Sequence, residues 1–408
     1  MHLSMPAGAR RRTRRALLAA ALPAALVATA LPAAADASVV VVDDRFTPRY
    51  EYRADPGETN ALAVSLTADG RMLFRDSQPI RVDEPTPTPR FPTDVCQRAS
   101  TTEVICDPQL APTNVDTGDG DDELLLQANV GMILNLGAGN DTLLAGVRRN
   151  PLAPINSITE IDFGPGTDTA SYAAANFPVT VTLDGGYDDG GAGDVLDIQD
   201  VEILVGSRFG DTLFGSDARN DVIRGGAGID VIGGGGGNDL IDEGTTPNGA
   251  DFINGGNGSR DIVTYGGRIA GVNVSLDGVR NDGATGEQDD VRPSVENIIG
   301  TGFGDRLVGN SLANTIEGFG GVDTIDGRHG DDTLFGGAQA DTLLGRAGFD
   351  TLLARDGVAD QIDCGVDGDR AQLDSADAVS GCEQRSLVGT LQLVPKRLAA
   401  VAGNAHVG

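Results

Sequence analysis

The 408 residues include 60 acids against 30 bases, a formal charge of −30, with 58 glycines, no tryptophan and only 4% aromatic residues. That balance excludes a nucleic-acid binder, which needs a basic footprint, and the scarcity of large rings argues against one aromatic-centred globular core. Apolar residues still make up 40% of the chain but are spread singly along it. The acids are phased against these aliphatic residues, which argues against the disorder that high charge with low hydrophobicity otherwise brings.

Residues 1–37 read as an export signal. Arg10, Arg11, Arg12, Arg14 and Arg15 form a basic n-region, Ala16 to Leu31 an Ala/Leu-rich h-region, and Ala33 and Ala35, or Ala35 and Ala37, fit cleavage. Arg14 and Arg15 followed by Ala16, Leu17 and Leu18 resemble a twin-arginine signal. The segment is short and broken by Pro23 and Pro32, which speaks against a transmembrane anchor. The expected destination is extracellular.

Residues 38–115 predict a small β-rich module, antiparallel in character. Val39 to Val42 is an apolar run, and Leu62, Val64 and Leu66 alternate with smaller or polar residues at the period of a half-buried strand. Asp69-Gly70 before Met72-Leu73-Phe74 is a hairpin signal, because both turn residues tolerate positive φ. The proline-rich stretch from Glu84 to Arg90 is a stiff spacer. Cys96 and Cys106 flank a polar turn, and Cys364 and Cys382 bracket the last acidic loop. An oxidising compartment favours pairing. Of the three connectivities open to four cysteines, the two local pairs suit these spacings best, and a zinc site is the rival, although neither pair shows zinc-ligand spacing.

From Asp116 to Glu383 a nine-residue period takes over. Asp305, Asn314, Asp323, Asp332, Asp341 and Asp350 recur at steps of nine, and Leu307, Ile316, Ile325, Leu334, Leu343 and Leu352 keep the same step two residues later. A second array contains GGAGIDVIG from Gly225, followed by GGGGGNDLID, and a sparser one runs from DTGDGDDELLL at Asp116 through LGAGNDTLL around Asp141. Over this lies a larger duplication. DTASYAAANFPVTVTLDG from Asp168 is echoed 93 residues later by DIVTYGGRIAGVNVSLDG from Asp261, each followed by an acidic glycine loop, a Val-Glu segment and FGDTLFG or FGDRLVG. The two strand-rich interruptions are expected to bulge or cap the repeat stack without ending it. Residues 384–408 read as a tail.

In GGAGIDVIG, Gly225, Gly226 and Gly228 permit positive φ and close backbone approach, so a tight turn can aim several carbonyl oxygens inward, and Asp230 adds a carboxylate at its end. Ile232 then turns inward from a short strand. One turn supplies too few oxygens for calcium, which takes roughly six to eight, but stacked turns can complete the shell.

The segment matches the nonapeptide G-G-x-G-x-D-x-U-x, and from about Asp116 to Glu383 the chain resembles the RTX, or haemolysin-type calcium-binding repeat, family. The resemblance implies an all-β fold, a parallel β-roll in which two nonapeptides make one coil. It also implies multiple calcium ions held by sixth-position aspartates and turn-glycine carbonyls. Carried onto this chain, the metal set is Asp122, Asp141, Asp211, Asp221, Gly226, Gly228, Asp230, Gly235, Gly237, Asp239, Asp305, Asp323, Asp332, Asp341 and Asp350. Asn314 in place of Asp is expected to bind weakly or only to shape its turn, and lost glycines before Asp221 and Asp341 put those two sites in question. Asp363, Asp367, Asp369, Asp374 and Asp377 in the closing acidic loop either hold a further ion or form a solvated cap.

A catalytic layout is not expected. The three histidines are His2, His329 and His406, no H-E-x-x-H or G-x-S-x-G occurs, and no G-K-[ST] follows the glycine runs. The expected function is therefore a secreted calcium-binding protein, structural or adhesive, with cell-surface or matrix polysaccharide as a candidate partner. A lyase or epimerase on the solenoid face is the alternative.

Overall fold

The computed structural model describes residues 37–42, 49–67, 71–83, 96–106, 113–127, 132–146, 159–185, 189–191, 196–198 and 200–386. The export signal up to residue 36, the Asp69-Gly70 turn, the proline spacer and the tail beyond residue 386 lie outside them. Every regular element among the described residues is a β-strand, most of them three residues long.

The nine-residue period sets the geometry directly. Thr315–Glu317, Thr333–Phe335 and Thr351–Leu353 pair in parallel, Ile316 against Leu334 against Leu352, a step of 18 residues. The alternate repeats Arg306–Val308, Thr324–Asp326 and Thr342–Leu344 pair the same way on the other face, Leu307 against Ile325 against Leu343. Two nonapeptides thus complete one coil. The middle residue of each strand points between the faces, and all six of these aliphatic side chains are fully buried. A one-residue slip would turn that whole column outward, so the register is strongly specified.

One face is an unbroken parallel ladder from Ala61–Leu66 and Glu123–Leu126, through Ile203–Val205 and Asn297–Ile299, to Gln384–Ser386. The other face is divided into three sheets of seven, six and six strands. The breaks fall at the two expected interruptions, where Val179–Thr182 and Asn273–Ser275 each start a new sheet. At each break a buried aspartate bridges the strand that ends to the strand that begins. Asp189 accepts the Thr182 and Ile198 N–H groups at 2.7 and 2.8 Å, and Asp282, 93 residues on, accepts those of Ser275 and Val291 at 2.7 and 3.0 Å. Where the backbone ladder lapses, a carboxylate meets the donors that would otherwise be stranded.

The N-terminal segment is built onto this frame. Ala61–Leu66, Met72–Arg75, Glu103–Cys106 and Cys96–Arg98 pair in that order, each antiparallel to the next, and Leu66 opposes Met72 as the hairpin signal requires. Ala61–Leu66 then pairs in parallel with Glu123–Leu126, while Arg49–Arg53 pairs with Thr113–Asp116 on the opposite face. The module therefore supplies the first strands of both faces. Cys96 and Cys106 face each other across their strand pair and are bonded, as are Cys364 and Cys382 at the far end.

Candidate metal centres along the turns

Most turns between strands in the repeat region end on an aspartate whose side chain folds back over its own loop. In the regular turns one carboxylate oxygen has a fixed role: it accepts the backbone N–H of the corresponding residue in the preceding coil. Asp305 N–H meets Asp323 Oδ1 at 2.8 Å, Asp323 N–H meets Asp341 Oδ1 at 2.9 Å, and Asp341 N–H meets Asp360 Oδ1 at 2.8 Å. On the second edge the chain of donors runs from Asn314 to Asp332, Asp350 and Asp369. Earlier columns link Asp122, Asp141 and Asp168, then Asp211, Asp230 and Asp251, and Asp221, Asp239 and Asp261. The first of them starts on Asn60, whose N–H reaches Asp122 Oδ1 at 2.7 Å.

The second oxygen is the informative one. Among the described residues, Oδ2 of Asp122, Asp141, Asp230, Asp239, Asp323, Asp332, Asp341 and Asp350 is buried with no hydrogen-bond partner, and the same is true of Asp168, Asp251, Asp261 and Asp369. Burial raises these carboxyls above their usual range, and stacked neighbours add to the effect: Asp230 rises to about 7, Asp239 and Asp332 to about 8. Buried acceptors without donors are costly, so such a column demands a proton or a cation at every coil.

Glycine makes the arrangement possible. A Cβ at Gly225 or Gly318 would fall 2.4 Å from the Oδ2 of Asp230 or Asp323, so glycine in these two turns leaves room for the carboxylate, and Gly225 does so without the positive φ expected of it. Gly226, Gly228, Gly235 and Gly237 all have positive φ, and a Cβ at Gly226, Gly235 or Gly237 would meet a carbonyl oxygen of the preceding coil at 2.0 to 2.3 Å. Carboxylate and carbonyl oxygens are therefore gathered at one level of each turn. This all-oxygen donor set suits a hard cation such as calcium, and the soft-ligand alternatives are spent or exposed: the cysteines are in disulfides and His329 faces solvent.

Not every aspartate of the sequence-derived set has this geometry. Asp211 accepts both the N–H and the Oγ–H of Ser207, plus Val179 N–H at 2.8 Å, and Asp305 likewise accepts Thr301 N–H, Thr301 Oγ1–H and Val272 N–H. Asp221 has one oxygen held by Ser216 N–H at 2.6 Å, and its other oxygen has no partner. Asn314 accepts Asn310 N–H at 2.8 Å and donates to Glu296 O at 2.7 Å, so it closes its turn from within. Asp341 keeps an unpartnered oxygen despite its lost glycine: Gln339 adopts φ 83° in that glycine's place, and Gly337, after the first glycine of the turn, keeps φ 108°.

Sequence periodicity did not select Asp168, Asp251 or Asp261, which follow the preceding aspartate of their columns by 27, 21 and 22 residues instead of 18, and Asp369, 19 residues after Asp350, was assigned only to the closing acidic loop. The glycine-rich turns before Asp168, Asp261 and Asp369 were the available signal. It also missed Glu202 and Glu296, whose Oε2 atoms take the aspartate's role by accepting Asp168 and Asp261 N–H at 2.9 Å. In the closing loop, Asp369 continues one column and Asp377 the other, accepting Asp360 N–H at 3.2 Å.

The model of the RTX calcium-binding nonapeptide repeat matches four copies in this chain, over residues 216–242, 299–330 and 318–352. These are the stretches in which the columns are most regular. Comparison with curated proteins finds no match. Strand order, coil length, turn glycines and stacked carboxylates agree with that one match: the chain carries RTX calcium-binding nonapeptide repeats wound into a parallel β-roll.

Proposed function

We propose that this is a secreted calcium-binding protein whose roll folds as calcium fills its turns, and that it acts as a structural or adhesive rod outside the cell. The observation that carries this reading is the column of buried Oδ2 atoms lacking any donor, repeated coil after coil. With dissociation constants of the order of 10⁻⁴–10⁻³ M, as in extracellular calcium modules, tenfold excess calcium contributes about 1.4 kcal/mol per site. Some ten sites then supply about 14 kcal/mol, as much as the net stability of a whole domain. Secretion is supported by the signal-like N-terminus and by two disulfides. No helix among the described residues is long and apolar enough to cross a membrane. A calcium-stiffened rod presenting its N-terminal strands to a surface polysaccharide is the form of adhesion that fits best, and the reading takes the chain as a binder, not an enzyme.

Far-ultraviolet circular dichroism during a calcium titration tests the proposal. The β-signal should grow cooperatively in millimolar calcium and collapse in EDTA. A signal that is the same in chelator would overturn it.

A further inference from the structure

At the second break of the divided face a group of acids meets in which Asp289 ends the column that runs through Asp230 and Asp251, while the two glutamates lie outside the nonapeptide scheme. Glu243 follows the strand Leu240–Asp242, Glu287 and Asp289 come from the glycine loop before Asp290–Val291, and all three are buried. One carboxylate oxygen from each lies within 4.8 Å of the other two. Asp251 faces Glu243, carboxylate to carboxylate, and both Glu243 Oε1 and Asp251 Oδ2 are buried without a partner. Two acceptors tolerate that contact only with a proton or a cation between them.

The surroundings hold these groups in place without neutralising them. Arg268, also buried, is 2.8 Å from Glu287 Oε1 and 3.7 Å from Glu243 Oε2, one positive charge among four acids. Asp289 accepts Asp251 N–H at 3.0 Å and the Tyr265 hydroxyl at 2.9 Å, while Glu287 accepts Ala284 N–H at 2.6 Å and Asn248 N–H at 3.0 Å. Glu287 Oε1 is taken up by Arg268 and Asn248, but Glu287 Oε2 and both Asp289 oxygens accept one hydrogen bond each and retain a second lone pair, and carboxylates oriented by such outer contacts are typical of metal ligands. The space is also reserved: a Cβ at Gly283 would meet Glu287 Oε2 at 2.5 Å and Asp289 Oδ2 at 2.6 Å. The first unit lacks the equivalent, since Ala175 and Leu196 stand 93 positions before Arg268 and Asp289.

We infer that Glu243, Glu287 and Asp289, with Asp251 adjoining, form a divalent-cation site at the end of one column whose donor set differs from that of the repeating turns, built for a hard ion such as calcium from side-chain carboxylates alone. A shared proton would serve the Glu243–Asp251 contact but would leave two negative charges uncompensated, whereas a divalent ion leaves one. Its location suggests a clasp that fastens the strand at which one sheet ends.

Native mass spectrometry of the full chain in calcium, beside its Glu243→Gln variant, tests this. The variant should hold one ion fewer at equal β-signal; an unchanged ion count overturns the site. Terbium gives a second readout, because the chain has no tryptophan and Tyr265 is bonded to a proposed ligand. Tyrosine-sensitised terbium emission should drop at least twofold in Tyr265→Phe. An undiminished emission there counts against the site even if Glu243→Gln fails to fold. The wild-type ion count reports on the repeats and the difference between variants on this cluster, so the two readings fail separately.

Discussion

The turns that open an array and the turns inside it differ at one position, the residue after the first glycine. In Gly206-Ser207 and Gly300-Thr301 that residue has a hydroxyl and stays out of the left-handed region, so its N–H and Oγ–H both point at the aspartate four residues on. Ser216 and Asn310 direct their N–H groups in the same way. In Gly225-Gly226 the second residue has φ 96°, which turns its N–H away and leaves Asp230 Oδ2 without a donor. Phe319, Arg328 and Arg346 adopt φ of 70°, 70° and 78° at the same place, and the aspartates that follow them, Asp323, Asp332 and Asp350, are unpartnered too. The backbone sign at this one residue thus decides whether its N–H meets the aspartate that ends the turn, although in the Ser216 turn the other oxygen, Asp221 Oδ1, still lacks a partner. The closed Ser207 and Thr301 turns sit where the divided face restarts, and there both oxygens of Asp211 and Asp305 are met by protein donors.

The largest expected effect concerns acid in place of calcium. The open-turn carboxyls of Asp230, Asp239, Asp323 and Asp332 are raised by burial to about 7 or 8, against an ordinary value of about 3.9 when unfolded. A carboxyl raised on folding contributes stability that is complete below the unfolded value and is lost as pH climbs through the folded one. In EDTA the β-signal should therefore be greatest near pH 4 and decline toward pH 8. A calcium-free signal that rises with pH would break the comparison.

A pair of matched substitutions comes next. Asp305→Asn, in a closed turn, should cost about 1–3 kcal/mol through lost charge-assisted hydrogen bonds, seen as a lower melting temperature in saturating calcium with the ion count unchanged. Asp332→Asn, in an open turn, should lower the ion count and move the calcium midpoint several-fold upward. Equal ion counts in the two variants would remove the distinction. The smallest effect is expected of Thr301→Gly, which takes away the hydroxyl and frees the backbone to turn left-handed. It should lose about 1 kcal/mol and gain one bound ion, read by native mass.

Much of this architecture could be read from the chain because its information is local. A strand of three residues with one aliphatic in the middle, a glycine turn and an aspartate at fixed spacing specify a coil without reference to anything distant, and the column from Asp305 to Asp350 is evident in the sequence. The 93-residue echo likewise announced where the regular stack would be interrupted. Tertiary structure alone decided how the interruption is absorbed, with one face restarting and the other continuous, since that depends on which edge donors Asp189 and Asp282 can reach across coils. It also decided which aspartates keep an unpartnered oxygen, because that rests on the φ of a neighbouring residue and on N–H groups one coil, and often 18 residues, away. The cluster of Glu243, Glu287 and Asp289 spans 47 residues with no period to betray it. Only the winding of the roll brings those charges together.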